Sequence, residues 1–145
     1  MDYSLIDYYS KYNRIIDCEE KFINDPEWLI SKGQYPNCAD YVFICIQIQE
    51  NKIINMCWDG DGTTIMQASS GLLSSLCIGK DVFQVQDLLK YYDSYFNLSS
   101  TGSKDINQYY DLFEDNIFNN YKTYRSVTVP FSGLTKIIRG IINGK

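Results

Sequence analysis

The chain of 145 residues contains no histidine. That absence removes Ser-His-Asp and Cys-His nucleophilic catalysis and takes away half of the usual zinc vocabulary. Long apolar runs are missing too: no stretch approaches the roughly 18 residues a membrane span needs, and no apolar signal segment opens the chain. Positive charge is sparse. There are 13 Lys and Arg against 18 Asp and Glu, for a net charge of −5, and the cations are scattered with no aromatic–basic stripe. Phosphate backbones are met by a basic field, so nucleic-acid binding is excluded as a function class, and no membrane partner is expected. Disulfide patterning is also absent. The five cysteines (Cys18, Cys38, Cys45, Cys57 and Cys77) are odd in number and irregularly spaced, which points to free thiols in a reducing, cytoplasmic setting.

What is present is a foldable chain. Hydrophobic residues make up 45% of it, and its length suits one domain, residues 1–145, with a real core. Residues 3–17 carry Leu5, Ile6, Tyr9, Tyr12, Ile15 and Ile16 at near-helical spacing and predict a helix packed by one face. Pro26 and Gly33 punctuate a following loop that Pro36-Asn37 closes. Residues 41–48 are β-branched and aromatic, Glu50-Asn51-Lys52 is a tight turn, and residues 53–58 return as the second strand of a hairpin.

A helix over 65–78 ends at Gly79, and Asp81 can cap a further one carrying Val85, Leu88, Leu89, Tyr92 and Phe96. Residues 97–104 read as a polar linker, 105–121 as another helix, and a last amphipathic helix starts near Ser132. The order is not an alternating parallel one. It predicts an α+β fold: a small antiparallel sheet, hairpin plus a short third strand, packed against several helices.

The stretch CWDGDGTTIMQASSG, residues 57–71, admits three readings. As a calcium loop it would place Ser70 at the twelfth position, where a bidentate carboxylate is required. As the nucleophile loop of a magnesium-dependent, haloacid-dehalogenase-type phosphatase, Asp59 and Asp61 would stand at the end of a central parallel strand, followed by a Lys and an acidic pair. Here the preceding strand belongs to a hairpin, and the later acids, Glu114 and Asp115, lie in a helical pattern. As a glycine hinge, Gly60 and Gly62 shape a strand exit, Thr63 and Thr64 cap the next helix, and Ser69 and Ser70 pack or cap without a base to activate them.

The surroundings favour the hinge. PNCAD at 36–40 precedes the hairpin, the hinge follows it, and ASSGLLSSLCIGKD at 68–81 comes next. In this order the blocks resemble the NifU/IscU/SufU family of iron–sulfur cluster assembly scaffolds, through Cys38, Asp40, Trp58, Gly60, Gly62, Ile65, Ala68, Ser69, Gly79 and Lys80. The resemblance spans about residues 36–82, and the length between Asp81 and Tyr124 is most like the SufU branch.

It implies an assembly protein rather than an enzyme, a scaffold or sulfur acceptor working with a cysteine desulfurase and serving iron–sulfur acceptor proteins. It implies Cys38 and Asp40 as the remaining metal- or cluster-binding residues, with Thr63 at the second cysteine position and Phe131, in SVTVPFSGL, at the third. Neither Thr nor Phe replaces a thiolate, so an iron–sulfur cluster, zinc or iron would need ligands from elsewhere. Cys57, within a strand, and Cys77, deep in a helix, are candidates whose pattern reads as core. A single loop thiol is enough to accept sulfane sulfur as a persulfide, and Cys38 is the expected acceptor. The alternatives are a binding-only relative without chemistry and the phosphatase.

Overall fold

In the computed structural model, which describes residues 3–97 and 121–144, a three-stranded antiparallel sheet in the order β1-β2-β3 carries helices on both faces. The strands are β1 (Trp28–Gln34), β2 (Tyr41–Gln49) and β3 (Lys52–Asp61). The helices are α1 (Tyr3–Tyr9), α2 (Cys18–Phe22), α3 (Thr64–Cys77), α4 (Val82–Asn97) and α5 (Tyr121–Asn143). The expected linker over 97–104 and most of the expected helix over 105–121 lie outside the described residues. No helix among the described residues is long and apolar enough to cross a membrane.

In β2 the hairpin forms as its alternation dictates, and a bulge at Gln47/Ile48 lets Ile53 and Trp58 of β3, five residues apart, reach the same core. Val42, Ile44 and Ile46 of β2, with Ile53 and Trp58 of β3, bury against α3 and α5, and Ile44 lies opposite Trp58. The turn holds two consecutive left-handed residues, Glu50 at φ 52° and Asn51 at φ 63°, whose twist matches that of the flanking strands. The third strand, β1, lies inside the segment that reads as a loop. It shows little apolar alternation because it is a sheet edge whose one buried residue is Gly33. There the backbone of α5 comes so close that a Cβ on Gly33 would lie 2.3 Å from the Val129 carbonyl oxygen.

Two helix boundaries differ from expectation. Instead of running to residue 17, α1 stops at Tyr9; Asn13 takes φ 58°, and the chain then pairs with β3, Ile15 N–H to Trp58 O at 3.0 Å and Trp58 N–H to Asn13 O at 3.3 Å. Instead of starting near Ser132, α5 starts at Tyr121 and carries Pro130 within it. A mid-helix proline reads as a boundary because it removes one backbone bond, but burial of Val127, Val129 and Leu134 holds the helix through it. The cap of α4 is reciprocal: Asp81 Oδ1 accepts from the N–H groups of Phe83 and Gln84, and Gln84 Oε1 accepts from Asp81 N–H.

Candidate functional site

Cys38 sits on a short loop between β1 and β2, after Asn37 turns the chain at φ 61°. Its thiol is half-buried, and its N–H reaches Tyr35 O at 3.3 Å. The loop is fixed to α5 at two further points. Tyr35 Oη donates to Thr128 Oγ1 at 2.9 Å, and Arg125 donates to the Pro36 carbonyl at 2.8 Å.

Asp40, only 7% exposed, lies where three elements meet. Its Oδ2 accepts from Ser126 Oγ of α5 at 2.9 Å and from Thr63 Oγ1 at 3.3 Å. Thr63 Oγ1 in turn accepts from Met66 N–H at 3.1 Å, capping α3. Gly62 presses on the carboxylate, since a Cβ there would come 2.7 Å from Asp40 Cγ. The hinge glycine is therefore a matter of space, and Thr63 and Asp40 are drawn together. Phe131 is not: it stacks edge-on with Tyr92 of α4, ring centroids 5.8 Å apart. Five residues separate it from Ser126, which on a helix is about 140° around the axis. The side chain of α5 that meets Asp40 is a serine that no motif reading singles out.

Around Cys38 the described residues supply one thiol and one carboxylate whose Oδ2 takes both hydroxyl bonds. Iron–sulfur clusters are held by thiolates. The other four cysteines are elsewhere, so these residues do not make a cluster ligand set. Cys77 is buried at the far end of α3, where burial pushes its thiol up to about 12 against the pull of Lys80. Cys18, Cys45 and Cys57 meet on the opposite face of the sheet, all buried, their sulfurs within 4.8 Å of one another.

Within that trio the hydrogen bonds from Cys18 and then Cys45 hold Cys57 down at about 4 against burial. The bond to Cys45 above all, then that to Cys57 and burial, push the Cys18 thiol up. For Cys45, the bond to Cys18 lowers the pKa but is outweighed by the bond to Cys57, burial and the charges of Cys57 and Glu19, leaving it at about 12. Cys57 reads from the sequence as a core thiol, and no motif in the sequence joins Cys18 and Cys45 to it. Counting back from the hairpin turn sets Cys45 opposite Met56; a bulge at Gln47/Ile48 shifts the register by one residue and brings it opposite Cys57, so the pairing is not legible in the sequence.

The loop aspartates have structural partners. Asp59 lies within antiparallel β3, and Arg14 Nε donates to its Oδ1 at 2.9 Å while Asp17 N–H donates to its Oδ2 at 2.8 Å. Arg14 also bonds Gly60 O and Gln67 Oε1 and lies over the Trp58 ring. With both oxygens engaged and a strand that pairs antiparallel with β2, and no parallel strand among the described residues, Asp59 lacks the setting of a phosphatase nucleophile.

Thiol accessibility gives a direct check. An aromatic disulfide reagent at about pH 8 is expected to react quickly with one thiol of the native protein, because thiolate exchange needs access as well as ionisation. Cys38 is half-buried and the other four are buried, so they should react only on unfolding. Cys38→Ser should remove the fast phase; two or more fast thiols in the native wild type would contradict the burial.

Comparison with known proteins agrees with this architecture. The model of the NifU-like N terminal domain matches residues 22–128. Among solved structures, a candidate iron–sulfur cluster assembly scaffold protein for the SUF system from the thermophile Fervidobacterium islandicum AW-1 superposes with a TM-score of 0.70 at 18% identity, covering 91% of this chain and 92% of that one. The N-terminal part of a nitrogen-fixing NifU-like protein from Brucella abortus gives a TM-score of 0.70 at 14% identity, covering 97% and 93%. No curated protein matches significantly. With the family model spanning most of its length, and with the hinge, the sheet and the helices arranged as the sequence blocks imply, the chain belongs to the NifU-like N-terminal domain family.

Proposed function

We propose that this protein serves iron–sulfur cluster assembly by accepting sulfane sulfur on Cys38 from a cysteine desulfurase. One observation carries the reading: in a chain of this family, the single thiol that reaches the surface stands on the Pro36–Asp40 loop, which α5 holds at Tyr35 and Pro36 before the thiol and at Asp40 after it. Sulfur acceptance asks for one accessible thiol and no metal, and that is what the loop offers. A cluster held at this face would need thiolates that Thr63 and Phe131 do not supply.

The step is a thiol–persulfide exchange. The Cys38 thiolate attacks the terminal sulfur of the desulfurase persulfide. A new S–S bond forms on Cys38, and the donor's S–S bond breaks. Its electron pair leaves on the donor cysteine, which takes up the proton that Cys38 released. No outside oxidant or reductant is consumed. The reaction needs a reduced thiol, in keeping with a cytoplasmic setting.

Incubation with a cysteine desulfurase and cysteine labelled at sulfur tests this. The wild type should carry about one reductant-releasable label per chain, as expected for one exchanging thiol, and Cys38→Ser should carry none. An unlabelled wild type would indicate a binding-only relative, and equal labelling of Cys38→Ser would place the acceptor elsewhere; either result overturns the reading.

A further inference from the structure

We propose that Cys18, Cys45 and Cys57 form a second, independent site: a buried three-thiolate site for a single zinc ion, on the sheet face turned away from the main core. The hairpin register sets Cys45 and Cys57 directly opposite each other on adjacent strands. Cys18, the first residue of α2, closes over them because the preceding segment is pinned to β3 by the Ile15–Trp58 bond. All three are 3% exposed or less.

The spacing suits one ion. Zinc binds thiolate sulfur at about 2.3 Å, and tetrahedral angles then put the sulfurs roughly 3.8 Å apart. Here all three lie within 4.8 Å of one another and the closest pair, Cys18 and Cys45, is at 3.3 Å, so loading needs adjustments of a few tenths of an ångström to about one. A disulfide bond is about 2.05 Å long, well short of that contact, and would leave the third sulfur over. A multi-iron cluster would need its ligands spread around several metal atoms, which this enclosed convergence does not allow.

Two features set the trio apart from ordinary core thiols. The rest of this small core is large and apolar: Ile15, Ile30, and Phe22 stacked on Trp28 with centroids 3.8 Å apart. Three thiols that face one another at one point among such residues, rather than lying singly in the core, form the arrangement that a metal ion uses. The second feature is Glu19, adjacent to Cys18. Its Oε2 is the buried side-chain oxygen without a hydrogen-bond partner among the described residues. A buried carboxylate oxygen left unpaired is costly; zinc with three thiolates carries a net charge of −1 and leaves the fourth tetrahedral position open, so coordination at that position is what would offset the cost. Glu19 is therefore the side chain available to support the ion from beside the thiolates. A buried site of this type is structural, and the metal enters as the chain folds.

The experiment is metal-free unfolding under reductant, followed by refolding with Co2+ or Zn2+. The wild type should bind one ion per chain. With Co2+ it should show thiolate-to-metal charge transfer and the strong visible bands of tetrahedral cobalt, and Zn2+ should raise its urea midpoint. Cys38→Ser and Cys77→Ser should bind as the wild type does, which separates this site from the sulfur acceptor. Cys18→Ala, Cys45→Ala and Cys57→Ala should each lose the charge-transfer band, and Glu19→Gln should weaken cobalt binding about tenfold. Because a core alanine can impair folding, the wild-type urea shift stands as a separate measurement. No bound ion and no shift in the wild type, or full stoichiometry in a folded alanine variant, overturns the site; unchanged affinity in Glu19→Gln removes that residue from it.

Discussion

Gly71→Ala is expected to lower the free energy of unfolding by about 3 kcal/mol or more, at the upper end of what overpacking costs. A Cβ on Gly71 would stand 1.8 Å from the Tyr9 carbonyl oxygen and 2.8 Å from its carbonyl carbon. Both are backbone atoms, so no rotamer change relieves the overlap; the end of α1 would have to lift from α3. Moving it disturbs Ile6, which is 5% exposed in the main core, and the ring contacts among Tyr8, Tyr9 and Tyr12. Urea unfolding checks this against Gly140→Ala in α5, where an added Cβ meets nothing within 4 Å. There the same methyl group should stabilise by roughly 0.5–1 kcal/mol through helix propensity. Two substitutions of identical chemistry should thus move in opposite directions. A Gly71→Ala midpoint close to that of the wild type would show that α1 is not seated on α3 as described.

What the chain reveals to a reader depends on whether the cause of a structure is local. The hairpin is legible because Val42, Ile44 and Ile46 alternate within β2 and the turn follows at once. The capping of α3 by Thr63 and of α4 by Asp81 is legible because both bonds close within three residues. By contrast, the expected short third strand has no local signal for its place: β1 packs by a backbone-to-backbone approach between Gly33 and Gly133, 100 residues apart, with no side chain to give a period. The early end of α1 is hidden because Tyr12 and Ile15 fit a helical period, yet the chain there pairs with β3.

The site divides the same way. Cys38, Asp40 and Thr63 emerge from a motif of short range. Ser126 reaches Asp40 across 86 positions of sequence, and Cys18 joins the thiol trio only through the fold of the segment before it. The glycine stretch that admits a phosphatase reading is explained by contacts at Gly62 and Asp59 that no local pattern contains.

Asp40→Ala is the second substitution with a large expected effect, about 2–4 kcal/mol of lost stability, because hydrogen bonds to a buried charged group are worth about 1.5–3 kcal/mol and their donors are left stranded when it goes. The carboxylate binds α5 through Ser126, the head of α3 through Thr63, and the strand exit through its contact with Gly62. Asp40→Asn keeps the shape and one acceptor and should cost about half as much. In a Ser126→Ala background the loss from Asp40→Ala should shrink by about 1 kcal/mol, the coupling expected for a direct contact.

Sulfur transfer separates a clasp from a chemical role. The Cys38 loop has its own anchors at Thr128 and Arg125, so it should stay close to its place when Asp40 is truncated. Folded Asp40→Ala is therefore expected to accept label from a cysteine desulfurase, more slowly than the wild type, whereas Cys38→Ser accepts none. Complete loss of labelling in a folded Asp40→Ala protein would instead assign the carboxylate to the transfer itself, as a group that positions or ionises the neighbouring thiol. Both hydroxyl bonds fall on Oδ2 and argue for the clasp, and Oδ1, which lies against Gly62, is the oxygen a proton-taking role would use.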